Sequence, residues 1–266
     1  MSTPTAFTTQ SLAEMIDLTG RTAIVTGGAM GIGRGIATRL HEAGASVVIA
    51  DLDSDEASAL ATELNADRSD SARSVHADVS TPADVDAAIY AAVEDFGGLD
   101  ILVNNAGIYP FCTFLDMDQA MFEKVLRVNL VGAFLMMKAA ARQMIAQGHG
   151  GKIVNVTSID ALHPSSVGLA HYDATKHGLW GLTKNVALEL ADHGITVNAL
   201  APGAVATPGT GGVNDQDLLT QMQERIPLHR MADPDEMGRV VLFLASDLSS
   251  YLLGSQVVAD GGMLLR

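Results

Sequence analysis

The sequence predicts an α/β fold: a single doubly wound domain with a parallel seven-stranded sheet and helices on both faces. Short apolar or β-branched runs alternate with longer amphipathic segments, which is the order of strands and helical crossovers in a parallel sheet. The short runs are apolar at successive positions, as expected of strands covered on both faces. With 266 residues, 48% of them hydrophobic, the chain can bury a large core within one domain.

The two kinds of segment follow one another from residue 22 to the C-terminus. The predicted strands are 22–25, 47–50, 75–77, 101–103, 153–156, 196–200 and 256–258. The predicted helices are 31–43, 55–64, 82–96, 119–147, 172–192 and 234–245. No repeat or charge block divides the chain, so we expect an N-terminal tail at 1–19 and one catalytic domain at 20–266. The rhythm breaks after Pro202, which predicts a mobile substrate loop at about 203–228.

Composition and charge disfavour several classes of function. The chain has 16 basic and 31 acidic residues and a formal charge of -15, which would repel nucleic acid and an anionic membrane surface. The apolar stretches are far shorter than the ~20 residues that span a bilayer, and the first 20 residues contain no Lys or Arg, unlike a secretory or transit peptide. The single cysteine, Cys112, excludes a disulfide within the chain and favours a reducing compartment. We therefore expect a soluble cytoplasmic protein.

A glycine-rich loop follows the first predicted strand. Its sequence TGGAMGIG, at residues 26–33, opens a helix within a βαβ unit, where glycines let the backbone approach a pyrophosphate. Asp51 lies 18 residues beyond Gly33, at a strand end where a carboxylate binds an adenosine ribose and repels a 2′-phosphate. These features predict a Rossmann-type site that prefers NAD to NADP, with the nearby Arg34 and Arg39 belonging to the helix. The alternatives are an ordinary tight turn and a solvated turn acid.

Tyr172 and Lys176 stand four positions apart on a predicted helix, with Ser158 on a loop upstream. Residues at this spacing share a helix face, and a nearby ammonium favours the phenolate form of tyrosine, whose ordinary pKa is about 10. Lowering that pKa by about three units takes roughly 4 kcal/mol. The three side chains suggest an acid/base site for a hydroxyl or a carbonyl. Taken alone, the spacing more often reflects an amphipathic side chain beside a solvated one.

With these motifs in order, the chain resembles the short-chain dehydrogenase/reductase family over about residues 20–263, as an alcohol dehydrogenase that prefers NAD. The matching motifs are TGGAMGIG at 26–33, Asp78 with Val79, NNAG at 104–107, Asn129, Ser158, YDATK at 172–176 and PG at 202–203. The resemblance implies a nicotinamide-dependent oxidoreductase and a homotetramer. It also implies a catalytic tetrad of Asn129, Ser158, Tyr172 and Lys176.

The resemblance further implies which residues bind NAD. They are Gly27, Met30, Gly31, Ile32, Gly33, Asp51, Leu52, Asp78, Val79, Asn105, Ala106, Gly107, Tyr172, Lys176, Pro202, Gly203, Val205 and Thr207. Some have structural alternatives, since Asp78 could cap the helix that starts near Pro82 and Thr207 could be a loop hydroxyl. For residues 104–107 we expect a mainly structural role.

By the same resemblance, Tyr172 exchanges a proton with the substrate oxygen as hydride passes between the substrate carbon and the nicotinamide. Lys176 would lower the pKa of that tyrosine and bind the nicotinamide ribose, while Ser158 would hold the substrate oxygen. Asn129 would fix a water that relays protons, or it would merely break the helix around it. The interval from Ser158 to Tyr172 is 14 positions, one longer than is common in the family, which indicates an insertion. Thr157 should point to the other side of the strand end.

Three segments that follow strand ends should contact the substrate: 108–116, 159–171 and 203–222. None contains Lys or Arg, so we expect a neutral secondary alcohol or ketone, apolar or cyclic. The predicted pocket residues are Tyr109, Phe111, Asp160, Leu162 and His163. His163 and His171 could tune the pocket, although a lone loop histidine is usually a surface residue. No cluster has the spacing of metal ligands, so we expect no metal.

The same residues are also consistent with two other functions. A 3-oxoacyl-carrier-protein reductase shares the motifs but would be expected to use NADPH, which Asp51 disfavours. A non-catalytic NAD-binding sensor or scaffold would keep the cofactor site without turnover, which the intact tetrad disfavours.

Overall fold

The computed structural model describes residues 10–208 and 223–266, and its named strands form one sheet. The strands are β1 (Thr22–Thr26), β2 (Ser46–Asp51), β3 (Ala72–His76), β4 (Ile101–Asn104), β5 (Gly151–Val156), β6 (Ile195–Pro202) and β7 (Gln256–Ala259). Their order across the sheet is β3-β2-β1-β4-β5-β6-β7, and all neighbours run parallel. The predicted doubly wound α/β fold with seven parallel strands is confirmed.

Helices connect these strands and lie on both faces of the sheet. They are α1 (Leu12–Ile16), α2 (Gly31–Glu42), α3 (Ser54–Asp67), α4 (Pro82–Phe96), α5 (Gln119–Leu126), α6 (Ala133–Gln147), α7 (Ala170–Leu190) and α8 (Pro234–Ala245). On one face, α2, α3 and α8 bury residues such as Ile36 and Val241. On the other face, α4, α6 and α7 bury residues such as Ala88 and Met136. This arrangement leaves the carboxyl ends of the strands as one open edge for a site.

The predicted helix 119–147 contains a π-helical turn between two α-helical parts. Between α5 and α6, Arg127–Gly132 forms a π-helical segment, a rare geometry that is frequent at functional sites. The buried side chain of Asn129 bonds there to the backbone of Ile108, after β4. Gly132 packs on Val79, since a Cβ atom on this glycine would lie 2.6 Å from the valine side chain. The predicted helical range 119–147 is confirmed, but the π turn within it was not predicted, because the apolar periodicity continues across its extra residue.

The segment predicted as an N-terminal tail contains α1, which begins after Ser11 with a capping box to Glu14. Leu18 is 3% exposed, and its N–H group donates to the Ala43 carbonyl at 2.7 Å. The boundary at residue 19 stays a prediction. Within the predicted loop 203–228, residues 209–222 lie outside the described part of the chain. The flanking residues are held by a parallel bridge between Val205 and Ala232.

Candidate active site

The glycine-rich loop between β1 and α2 has no room for a side chain at two of its glycines, Gly27 and Gly33. Gly27 has a φ of +58°, and a Cβ atom there would lie 2.9 Å from Ala106 Cα. A Cβ atom on Gly33 would lie 1.9 Å from the Gly27 carbonyl oxygen. Met30, which precedes α2, makes no side-chain bond to the first turn of that helix. The N–H groups of this turn therefore suit an anion such as a pyrophosphate.

The NNAG segment after β4 holds the glycine-rich loop in place. The Asn105 side-chain amide donates to the carbonyls of Thr26 and Gly27 at 3.0 and 2.9 Å. The Thr26 hydroxyl accepts from the N–H groups of Asn105 and Ala106, both at 3.1 Å. Asn104 donates to Asn155 on the neighbouring strand β5 at 2.8 Å. These bonds are structural, as we expected of residues 104–107.

The carboxylate of Asp51 joins the end of β2 to the same loop. It accepts from the N–H groups of Ala29 at 2.9 Å and of Asp53 at 3.0 Å. The two nearby arginines are engaged elsewhere: Arg34 pairs with Glu63, and Arg39 pairs with Asp235 and Glu42. Neither guanidinium is therefore left unpaired for a 2′-phosphate.

Other predicted cofactor residues surround this loop. Thr207 lies opposite Gly31, where a Cβ atom on the glycine would approach the threonine Cβ to 3.3 Å. Asp78 accepts from the Ser80 N–H group at 2.9 Å, so it shapes the turn before α4, while Thr81 occupies the N-cap position. The remaining ones are distributed as follows: Ile32 in α2, Leu52 after β2, Gly107 beside Asn129, Pro202 at the end of β6, and Gly203 against Asp260.

Tyr172 and Lys176 lie in α7 and contact one another. Lys176 Nζ is 5.4 Å from the centroid of the Tyr172 ring and donates to the Val156 carbonyl at 2.8 Å. The lysine is 4% exposed. Tyr109, from the segment after β4, meets the Tyr172 ring edge-on with 5.9 Å between centroids. The two residues of the YDATK motif are therefore fixed at the carboxyl end of β5.

Ser158 follows β5 and faces the same place. Its hydroxyl donates to Asp160 Oδ2 at 2.9 Å and accepts from the Asp160 N–H group at 3.1 Å. Burial raises the pKa of the Tyr172 phenol, and the Ser158 side chain beside it lowers that pKa. Thr157 turns to the other side, because its hydroxyl donates to the Leu200 carbonyl at 2.9 Å. The structure thus brings Ser158, Tyr172 and Lys176 together despite the longer loop.

Asn129 joins the loop after β4 to α7. Its Oδ1 accepts from the Ile108 N–H group at 2.8 Å, and its Nδ2 donates to the Ile108 carbonyl at 2.9 Å. The same Nδ2 lies 3.3 Å from the Thr175 hydroxyl, next to Lys176. These bonds give the asparagine a structural position behind the site, and its part in a proton relay stays a prediction.

Burial dominates the electrostatics of the tyrosine and lysine. It raises the pKa of Tyr172, which hydrogen bonding by Ser158 lowers and the Asp160 carboxylate raises further. It also lowers the pKa of Lys176 to about 8, a shift that Asp160 partly opposes. The lowering expected from Lys176 stays a prediction, whereas the net shift of the Tyr172 pKa is upward. The physical reason is that burial disfavours the charged form of both groups, and Asp160 adds a negative charge beside the phenol.

A cavity of about 700 Å³ opens beside Ser158. Its walls include two residues predicted for the substrate pocket, Asp160 and His163. The other three are not on this wall: Tyr109 packs on Tyr172, and Phe111 and Leu162 are 68% and 50% exposed, so their part in substrate binding stays a prediction. The wall mixes apolar side chains with hydroxyl and charged groups, so it is more polar than the sequence suggested.

Two arginines on the cavity wall were missed. Arg225 and Arg266 line it together with Ser158, and Arg266 donates to the Glu224 carbonyl at 3.4 Å. The three segments expected to contact the substrate do lack Lys and Arg, but these two arginines come from outside them, and the expectation of a neutral substrate stays a prediction. Arg266 reaches the cavity from the last residue of the chain, which no local pattern indicates.

His171 is also placed differently from the expectation for a loop histidine. Its side chain is fully buried at the start of α7. Its Nδ1 accepts from the N–H group of Tyr172 at 2.7 Å, so the ring carries its proton on Nε2 when neutral. The histidine supports the first turn of the helix that carries Tyr172.

Residues 10–208 and 223–266, the described part of the chain, contain neither a cluster of metal ligands nor a helix that could span a membrane. They contain no group of three or more His, Cys, Asp or Glu side chains that could hold a metal ion. No helix in those ranges is long and apolar enough to cross a membrane.

Known proteins are similar to this chain in sequence and fold over nearly its whole length. The profile of the adh_short_C2 family, described as enoyl-(acyl carrier protein) reductase, matches residues 27–264. An L-rhamnose 1-dehydrogenase (NAD(P)(+)) of Sphingomonas sp. is 40% identical over 94% of this chain and 98% of that protein. A 3-alpha-(or 20-beta)-hydroxysteroid dehydrogenase of Mycobacterium bovis is 42% identical over 92% of this chain and 90% of that protein.

A solved structure agrees with these relatives. The crystal structure of a short-chain type dehydrogenase/reductase from Mycobacterium marinum superposes with a TM-score of 0.92 and 36% identity, over 96% of this chain and 100% of that one. The glycine-rich loop and the Ser158, Tyr172 and Lys176 cluster occupy one edge of the same fold. The chain is therefore an oxidoreductase that belongs to the short-chain dehydrogenase/reductase family.

Proposed function

We propose that the protein transfers hydride between NAD(H) and a neutral, cyclic secondary alcohol or the corresponding ketone, with Tyr172 as the acid/base. The observation that carries the proposal is the meeting of Ser158, Tyr172 and Lys176 at the strand ends, where Ser158 lines a cavity. Relatives named for a sugar and for steroid alcohols support a cyclic substrate.

Each side chain has a defined task in this proposal. Bound NAD supplies the hydride acceptor for alcohol oxidation. In alcohol oxidation Tyr172 would act as the phenolate, after losing its own proton to solvent, and would accept the hydroxyl proton of the substrate, while Ser158 orients the substrate oxygen. Lys176 binds the nicotinamide ribose and holds positive charge near the phenol. Because burial raises the pKa of Tyr172, the phenol is protonated at neutral pH and is directly suited to donate its proton in ketone reduction.

The preference for NAD rests on Asp51. A 2′-phosphate on the adenosine ribose would meet a carboxylate, and the nearby Arg34 and Arg39 are already paired. The Sphingomonas relative is named for both cofactors, so the preference is the finer part of the proposal. An acyl-carrier-protein reductase remains the alternative if NADPH proves to be the better cofactor.

Initial rates with NAD and NADP across a panel of cyclic alcohols test the function. Tyr172→Phe should lower kcat about 10²- to 10⁴-fold while the Kd for NAD stays within about threefold. Tyr90→Phe, on the exposed face of α4, is the matched control. A wild-type protein that binds NAD and turns over no substrate would favour the sensor or scaffold function instead.

A substrate with a carboxylate distant from the reacting carbon is a second candidate, favoured by Arg225 and Arg266 on the cavity wall. The comparison of D-glucose with D-gluconate distinguishes it. If the acid is the true substrate, Arg266→Ala should lower kcat/KM for gluconate about tenfold, the effect of losing one charge-assisted bond. Arg142→Ala, exposed on α6, is the control and should change neither rate.

We also propose a cytoplasmic homotetramer. Sedimentation of the purified protein over a range of concentrations tests the assembly, because a stable monomer at micromolar concentration would contradict it. Fractionation of the cells that make the protein tests the compartment.

A further inference from the structure

Asp160 is the acidic residue that lies next to the reacting groups. It stands two positions after Ser158, in the short 3-10 turn Ile159–Ala161. Its Oδ2 accepts the Ser158 hydroxyl at 2.9 Å, and its N–H group donates back to the same oxygen at 3.1 Å. Both residues line the cavity of about 700 Å³. Serine and carboxylate therefore form one polar pair on its wall.

The carboxylate of Asp160 is only partly satisfied by the protein. In the described part of the chain it forms no ion pair with Lys or Arg, and its Oδ1 accepts no hydrogen bond there. The titratable groups that act on it are Asp173, His163 and Lys176. A half-buried carboxylate with a free oxygen is costly unless a donor reaches it. A ligand hydroxyl is such a donor.

We propose that Asp160 determines specificity by accepting a hydrogen bond from a second substrate hydroxyl, on the carbon next to the reacting one. The inference rests on the proposed function, in which Ser158 holds the reacting oxygen. Ser158 Oγ and Asp160 Oδ2 are 2.9 Å apart, close to the separation of two hydrogen-bonded oxygens. The two oxygens of a gauche vicinal diol have a similar spacing, so one diol oxygen can face each residue. Asp160 forms and breaks no covalent bond: the hydride still goes to NAD and the hydroxyl proton to Tyr172.

The same placement predicts what the site rejects. A carboxylate on the carbon next to the reacting one would lie against Asp160, and like charges repel at this distance. Vicinal diols, including sugars, are thus favoured over simple alcohols and over 2-hydroxy acids. An acidic group could be accommodated only at the far end of the substrate, where Arg225 and Arg266 line the cavity.

Matched substrate pairs test the role of Asp160. The pairs are trans-cyclohexane-1,2-diol with cyclohexanol and D-glucose with 2-deoxy-D-glucose, which differ only in the adjacent hydroxyl. Wild-type enzyme should show a higher kcat/KM for the member that has this hydroxyl. In Asp160→Ala the ratio within each pair should fall about 10- to 100-fold, as expected for a lost hydrogen bond to a charged group. Asp160→Asn, which keeps an acceptor oxygen, should retain part of the ratio.

Asp86→Ala, on the exposed surface of α4, is the control and should leave the ratio unchanged. NAD binding and the thermal midpoint of each variant show whether it is folded. If both members of a pair lose activity equally in Asp160→Ala, the residue only positions Ser158 and the inference is overturned. If wild-type enzyme oxidises neither member of either pair, the proposed function itself fails, and the role of Asp160 fails with it.

Discussion

The cofactor side and the substrate side of the cleft are held in different ways. On the cofactor side, backbone groups meet with no spare space, as at Gly33 and Gly27. On the substrate side, side chains from separate parts of the chain line an open cavity, among them Asp160 and Arg266. A local sequence motif largely specifies the cofactor side, whereas the substrate side depends on the tertiary placement of segments that are distant in the sequence.

Among the variants that compare the two sides, the largest effect is expected on the cofactor side. In Gly33→Ala the new Cβ atom would lie 1.9 Å from a carbonyl oxygen, so the loop must shift. We expect a loss of NAD affinity of about 100-fold, the upper end of overpacking costs, as measured by titration of the bound nucleotide. Gly181→Ala in α7 is the control, because a Cβ atom there meets nothing within 4 Å; it should stabilise the protein by about 0.5–1 kcal/mol. Equal affinities in the two variants would contradict the tight loop.

The pH dependence of ketone reduction tests the substrate side, because it reports the ionisation of Lys176. Burial lowers the pKa of this lysine to about 8, so its ammonium is present below that pH and is lost above it. Tyr172 stays protonated over the same range because burial raises its pKa. The kcat/KM for reduction should therefore be flat below about pH 7.5 and fall about tenfold per pH unit above pH 8.5. In Lys176→Arg the descending limb should move to higher pH, and a limb at the same pH would assign the titration to another group.

A smaller effect is expected at Asp51, the residue proposed to bind the adenosine ribose on the cofactor side. Asp51→Ala removes the bonds to Ala29 and Asp53 and the charge that opposes a 2′-phosphate. The ratio of kcat/KM for NAD over NADP should fall about tenfold, the effect of one charge-assisted hydrogen bond. Asp53→Ala removes the N-cap of α3 and should cost about 1 kcal/mol of stability without changing that ratio. An unchanged ratio in Asp51→Ala would show that cofactor choice lies elsewhere.

The smallest effect is expected behind the substrate side, at His171. Replacing it with Phe removes the acceptor of the Tyr172 N–H group. Loss of one such bond destabilises by about 1 kcal/mol, so kcat should fall only a few-fold while the Kd for NAD is unchanged. His171→Asn, whose side chain can still accept, should recover most of the rate. A loss as large as that of Tyr172→Phe would make the histidine part of the chemistry.

The sequence predicted the sheet and the position of the glycine-rich loop for a physical reason. Strand patterns and the glycine-rich motif depend on neighbouring residues, and the nearest contact of Gly33 is with Gly27 of its own loop, although Asn105 from the segment after β4 also packs there. The π-helical turn at Asn129 was not predictable, because it follows from bonds to Ile108 in another segment. The burial of His171 and the approach of Arg225 and Arg266 also require the tertiary fold. The raised pKa of Tyr172 is of the same kind, since burial rather than spacing sets it.

Hydride transfer itself is tested most directly with a cyclic alcohol that carries deuterium on its carbinol carbon. After reaction with NAD, nuclear magnetic resonance of the reduced cofactor reports whether the label has moved. With wild-type protein we expect the deuterium on the nicotinamide ring, and with Tyr172→Phe we expect the transfer rate to fall about 10²- to 10⁴-fold at unchanged NAD affinity. An unlabelled reduced cofactor, or an undiminished rate in Tyr172→Phe, would contradict the account.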